Sequence, residues 1–142
     1  ALLSESVFYI YRSYSLKTLK YWGKVLENMQ MDESGFFVWS KTSIEERERL
    51  GVDPGKIDMA ASNFAPIVKG TEFGIILTEE EEKLVRGSLR SRKDFDVAKI
   101  AQELGGGGHQ RAAGFSVKLS LPEAEKKVLE IARKHIKLRE GV

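Results

Sequence analysis

Two short stretches of the chain carry residue types suited to holding an anion. The first is LGGGGHQRAAGF, Leu104 to Phe115. One glycine after Leu104 would end a helix, and four in succession, Gly105 to Gly108, exceed that need. Each extra glycine costs roughly 0.5–1 kcal/mol relative to Ala in ordered structure. Two gains can offset the cost: a backbone free to take positive φ, and a main chain that another group can approach without meeting a Cβ. Successive exposed N–H groups in such a turn form a concave nest for anions. If HQRAAG opens a helical turn, its first N–H groups would add to the same site. His109 can donate a hydrogen bond to an oxyanion or stack on a base. The second stretch is SLRSR, Ser88 to Arg92. Arg90 and Arg92 offer planar forks for phosphate oxygens, and the serines add short-range donors. The plainer readings are a flexible loop with an incidental histidine and a solvated strand end. The small run Ala112-Ala113-Gly114 favours tight packing over a loose linker. Two anion-suited clusters so near each other favour one shared site.

The elements that must position these clusters are legible in outline. Residues 4–30 read as helical. Val7, Ile10 and Tyr11 suggest a short helix. A second is capped by Ser15, with Leu16, Leu19, Trp22, Leu26 and Met29 as its apolar stripe. MDESG at 31–35 is a turn and FFVW at 36–39 a strand. Thr42 with Glu45, and Ser43 with Glu46, fit capping boxes for a helix ending near Gly51. DPGK at 53–56 is turn chemistry, and 56–66 is a weaker helical segment. FGIILT at 73–78 is a strand, followed by the acidic run Glu79–Glu82. From Lys83 a second strand places Leu84, Arg86, Ser88 and Arg90 on one face, and Val85, Gly87, Leu89 and Ser91 on the other. The two strands should pair antiparallel. Asp96 caps a helix with Val97, Ile100, Ala101 and Leu104 as its stripe, and Gly105 stops it. FSVKL at 115–119 is a strand. Ser120, Pro122 and Glu123 open a last helix that buries Val128, Ala132 and Ile136. The class expected is α/β: a small mixed sheet of about four to five strands flanked by helices and preceded by a helical linker.

Bulk properties bound the function. At 142 residues the chain is one domain, or one domain with an attached segment. The net charge is +2, from 23 Lys and Arg against 21 Asp and Glu, so nothing global demands nucleic acid or a membrane, while a local basic site remains open. The absence of cysteine removes disulfides and thiolate zinc sites and fits a reducing cytoplasm. No apolar run approaches the roughly 20 residues a membrane helix needs. ALLSES, at the start, lacks the basic region of a signal peptide. The chain does not begin with Met, which fits a piece of a longer protein.

LRSR followed by FDVAKIAQELGGGGHQRAAGFSV resembles the C-terminal domain of DHH-family phosphoesterases, the DHH-associated domain. GGGGH with Ala-Ala-Gly three residues on is similar to that domain's signature. IVKGTEFGIIL at 67–77 looks like the family's edge of the same sheet. Residues 1–30 look like the helical linker to a catalytic domain, leaving 31–142 as the DHH-associated domain. The pattern looks closest to the nanoRNase and phosphoadenosine-phosphate phosphatase branch. RecJ-type exonucleases and cyclic-dinucleotide phosphodiesterases share the motif.

The resemblance implies a division of labour. An N-terminal catalytic domain would carry an Asp-His-His triplet and bind manganese, while this domain holds a short oligonucleotide or nucleotide phosphate. The sequence contains no Asp-His-His, and its only histidines are His109 and His135. Carried over residue by residue, Arg90, Ser91 and Arg92 match the family's phosphate and nucleotide contacts. Gly106, Gly107, Gly108 and His109 match its loop contacts. Arg86 stands where many members have lysine, Arg111 is an outer contact, and His135 is expected at the surface. The resemblance assigns this chain no catalytic residue and no metal ligand. The reading that follows is the substrate-binding part of a manganese-dependent phosphoesterase. The alternatives are a stand-alone RNA- or nucleic-acid-binding module, since a similar domain is appended to alanyl-tRNA synthetases, and a fragment of a cyclic-dinucleotide phosphodiesterase. Dimerisation through a sheet edge is compatible with the pattern, but as a sole role it leaves the glycine loop unexplained.

Overall fold

A computed structural model describes residues 15–52 and 64–139. The short helix expected around Val7 to Tyr11, the turn at 53–56 and most of the weak helix at 56–66 lie outside the described residues.

The described elements run α1 (Leu16–Glu27), β1 (Gln30–Met31), β2 (Phe37–Thr42), α2 (Ile44–Leu50), a 3-10 turn (Ala65–Ile67), β3 (Phe73–Glu81), β4 (Leu84–Ser91), α3 (Val97–Glu103), β5 (Gly107–His109), β6 (Ala112–Val117) and α4 (Leu121–Arg139). The six strands form one sheet in the order β1-β2-β3-β4-β6-β5. β2 and β3 run parallel, with α2 on the connection between them, and every other pair is antiparallel. The α/β class with a mixed sheet is as expected, with more strands than the four to five read from the sequence. β3 is an inner strand of this sheet rather than its edge, because β1 and β2 extend the sheet beyond it.

Alternation along the strands gives the sheet two unlike faces. One face carries Phe37, Phe73, Ile75, Leu77, Val85 and Leu89, all fully buried beneath α3 and α4. Rings of Phe37, Phe73 and Phe95 stack through it, with centroids 4.9 and 4.5 Å apart. On the opposite face α1 lays Tyr21, Trp22 and Val25 over Ile76.

Ser15 caps α1, accepting from the amide of Thr18 at 3.2 Å. The buried face of α1 is Thr18, Tyr21, Trp22 and Val25, whereas Leu16, Leu19 and Leu26 are exposed. Of the expected stripe Trp22 is buried, while its leucines point away from the sheet. Positions 18, 21, 22 and 25 follow the same helical period. Burying Tyr21 together with Trp22 removes more apolar area than burying leucines would.

The Ser43–Glu46 capping box forms as expected, and α2 ends at Gly51 with φ +65°. No helix among the described residues is long and apolar enough to cross a membrane.

Candidate functional site

The glycine run divides into four separate structural situations. Asp96 caps α3 by accepting from the amide of Ala98, and the helix ends at Leu104. Gly105 takes φ +82° and turns the chain out of the helix. At Gly106 a side chain would lie 2.7 Å from the Cα of Phe115, so its place is set by close packing on β6. Gly108 has φ +145°, and a Cβ there would fall 2.6 Å from the carbonyl oxygen of Ala112. At Gly107 a Cβ would meet nothing within 4 Å. HQRAAG does not open a helical turn. Gly107–His109 form the edge strand β5 and return antiparallel through Gln110 and Arg111 into β6. Ala112 and Gly114, opposite Arg90 and Ser88, add little bulk above that side of the sheet.

The register assembles the site in rows across β4, β6 and β5. Arg90 pairs with Ala112, which pairs with His109. Ser88 pairs with Gly114, which pairs with Gly107. Arg86 pairs with Ser116. Directly paired residues project to the same face, so Arg86, Ser88, Arg90, Ser116 and His109 share one side. A hollow of about 530 Å³ lies on that side, and the described residues that line it belong to β4, β5 and β6. Its floor is glycine and alanine backbone, and its polar groups are those of Arg86, Ser88, Arg90 and Ser116. Arg90 donates from Nη1 to the carbonyl of Leu89 at 3.0 Å. Arg86 Nη1 lies 3.9 Å from Glu80 Oε1. Four residues of strand separate the two arginines, about 13 Å along β4.

The remaining expected site residues fall elsewhere. Ser91 is on the opposite face of β4, buried, with its hydroxyl turned to the carbonyl of Lys93 at 3.5 Å. Arg92 reaches back to the carbonyl of Val68 at 3.1 Å. Gly106 packs on β6, and His109 stands beside the hollow rather than lining it. Arg111 is exposed and lies 3.5 Å from Asp94. His135, expected at the surface, is partly covered there: its ring is 14% exposed and contacts Glu103 of α3. Gly107 and Gly108 lie in the lining as expected, whereas Ser116 and the β6 part of the floor were missed, because no pairing register can be read from FSVKL alone.

The family model of the DHHA1 domain matches residues 38–138. The chain belongs to the DHHA1 family. Over 70 residues it is 41% identical to the bifunctional oligoribonuclease and PAP phosphatase NrnA of Thermus thermophilus, covering 49% of this chain and 21% of that one. An exopolyphosphatase-related protein from Bacteroides fragilis superposes with a TM-score of 0.83 at 27% identity, over 91% of this chain and 38% of that one. A pGpG-specific phosphodiesterase, PggH, from Vibrio cholerae superposes at 0.55 and 10% identity, over 82% and 39% of the two chains, a likeness of fold. This DHHA1 chain thus spans about a fifth of the curated relative and under two fifths of the two solved structures. Among the described residues of the DHHA1 domain, no group of three or more His, Asp and Glu side chains comes together that could hold a metal ion. The polar side chains that line the hollow are arginines and serines, which do not suit manganese.

Proposed function

We propose that this chain is the substrate-binding part of a DHH-type phosphoesterase that acts on short oligonucleotides or nucleotide bisphosphates. In this reading residues 31–142 form the binding domain. Residues 1–30 lead to an N-terminal catalytic domain, which would hold the manganese. The observation that carries the proposal is the row of Arg86, Ser88 and Arg90 along β4, beside a floor of glycine and alanine on β5 and β6. Phosphate oxygens need donors and positive charge, and a flat backbone floor leaves room for a ribose or a base. The oligoribonuclease and PAP phosphatase activities in the relative's name support the same substrate class. Arg90 would take a phosphate, Ser88 would position the neighbouring group, Arg86 would bear on a further phosphate at the far end of β4, and His109 would stack or donate beside the hollow.

Titration of the chain with a two- to five-nucleotide RNA tests the proposal. A charge-assisted contact contributes about 1.5–3 kcal/mol, so Arg90→Ala should weaken binding about tenfold or more while circular dichroism stays unchanged. The loss should shrink as salt rises. Parent-like binding by a folded Arg90→Ala variant would remove this face as the substrate site.

A further inference from the structure

The hairpin joining β3 to β4 contains an irregularity beside the hollow. Thr78 pairs with Arg86 and Glu79 with Val85, but the next pair is Glu81 with Leu84. Glu80 is the extra residue of a β-bulge. Bulges re-aim a side chain and bend the strand that holds them, and this one is fixed from outside the hairpin. Arg47, on the capped helix α2, donates from Nη2 to the carbonyl of Glu80 at 2.9 Å and to that of Glu79 at 3.4 Å. The amide of Ile44 at the start of α2 donates to Glu79 Oε1 at 3.1 Å. The bulge carries the Glu80 carboxylate to the Arg86 guanidinium, 3.9 Å away, with side chains 26% and 40% exposed. Arg86 is one of the two arginines lining the hollow.

We infer that Glu80 is a specificity-determining residue, a fixed countercharge that closes the Arg86 end of the phosphate track and disfavours ligands long enough to place a phosphate there. The inference rests on the proposed reading of the β4–β6–β5 face. A ligand anchored at the Arg90 end meets the Gly107 and Gly114 backbone beside the Arg90 guanidinium. A ligand that runs on along β4 for about 13 Å must take Arg86 from Glu80 and bring its own charge toward that carboxylate. Both terms disfavour the longer ligand, and neither touches a ligand with a single phosphate at Arg90. The exposure of the pair keeps the effect modest, because solvent screens it.

The test compares adenosine 5′-monophosphate with a five-nucleotide oligoadenylate on the parent chain, Glu80→Gln, Glu82→Gln and Arg90→Ala. Glu82 is exposed in the turn and gives the same change of net charge away from the bulge. Glu80→Gln should tighten the pentanucleotide by roughly threefold to tenfold, the scale of one unit-charge interaction at about 4 Å in a solvated setting. The monophosphate should stay within about twofold. The salt slope for the pentanucleotide should steepen by about 0.7, the value for one added phosphate contact on a single strand. If Arg90→Ala weakens both ligands and Glu80→Gln leaves their ratio unchanged, the face stands and the role of Glu80 is overturned. The role is likewise overturned if Glu82→Gln matches Glu80→Gln, since net charge would then suffice. If Arg90→Ala changes neither ligand, the reading of the face fails and the inference falls with it.

Discussion

Gly107 differs from its three neighbours in what its missing side chain leaves open. Gly105 and Gly108 hold positive φ, and Gly106 packs on the β6 backbone. Their substitution acts on the fold. Gly107 has room above it, and that room is the hollow. Gly107→Val should therefore fold with a melting temperature close to the parent's, because Val suits a strand. It should lose about tenfold or more in oligonucleotide affinity, because the new side chain occupies the floor. Gly108→Ala should show the reverse order: a loss of about 1–3 kcal/mol in stability from forcing that backbone on an L residue. Thermal melts and titrations on the two variants separate the cases. If Gly107→Val binds like the parent, no ligand lies on that floor. The sequence sets Gly105 apart as a helix stop and leaves the other three alike. Only the β5–β6 pairing distinguishes those three, and that pairing joins backbones whose register no side-chain pattern specifies.

At the scale of elements, local chemistry was the most legible part. Ser15, Ser43 and Asp96 cap their helices as their types and spacing indicate. The alternation of LVRGSLRS puts Arg86, Ser88 and Arg90 on one face, and the same parity puts Ser91 on the other. The family carry-over therefore placed Ser91 among contacts that its own strand turns away from the hollow. The orientation of α1 was not legible, because that helix carries two apolar stripes and packing on Ile76 chooses between them. Two-residue β1 was missed because it follows only from closure of the Asp32–Gly35 turn.

The same turn is tied to α4. Arg133 Nε donates to Asp32 Oδ1 at 2.9 Å, and Ser34 donates to Oδ2 from its hydroxyl at 2.6 Å. Burial pushes the Asp32 carboxyl up, but the hydrogen bonds from Ser34 and Arg133 outweigh it and hold the pKa below the usual carboxylate value. A lowered folded-state pKa gives stability that is complete above the unfolded value, about 3.9, and is lost as pH falls through the folded one. Asp32→Asn should cost about 1.5–3 kcal/mol at pH 7. That difference from the parent should shrink once pH drops below about 4. Urea unfolding at pH 7 and pH 3 checks it. A difference of equal size at both would mean the Asp32 charge is not what holds the turn.

Over the whole molecule, the sheet is covered unequally. α3 and α4 seal one face, while on the other α1 packs over Ile76 and the 3-10 turn packs on β3. Arg86, Ser88, Arg90 and Ser116 gather on the β4–β6 part of that other face. The sequence made this division partly visible, through the polar parity of β4 and the lack of bulk in Gly-Gly-His and Ala-Ala-Gly. It could not show that both fall on the same half of the sheet. Such a face can hold and orient a phosphate ester. Cleaving one also needs an activated water and stabilisation of the displaced oxygens, which two-metal sites supply. The described residues bring no three His, Asp and Glu side chains together as metal ligands, and the chain has no Asp-His-His. The purified chain with added manganese should therefore bind a di- to pentanucleotide RNA and leave it intact. Chromatographic analysis of the nucleotide products over hours, run beside a binding titration, checks both halves of that expectation. Cleavage that follows this chain through successive purification steps, and that Arg90→Ala diminishes, would mean that the chain carries the hydrolytic groups itself. The assignment of binding and chemistry to separate parts would then fail.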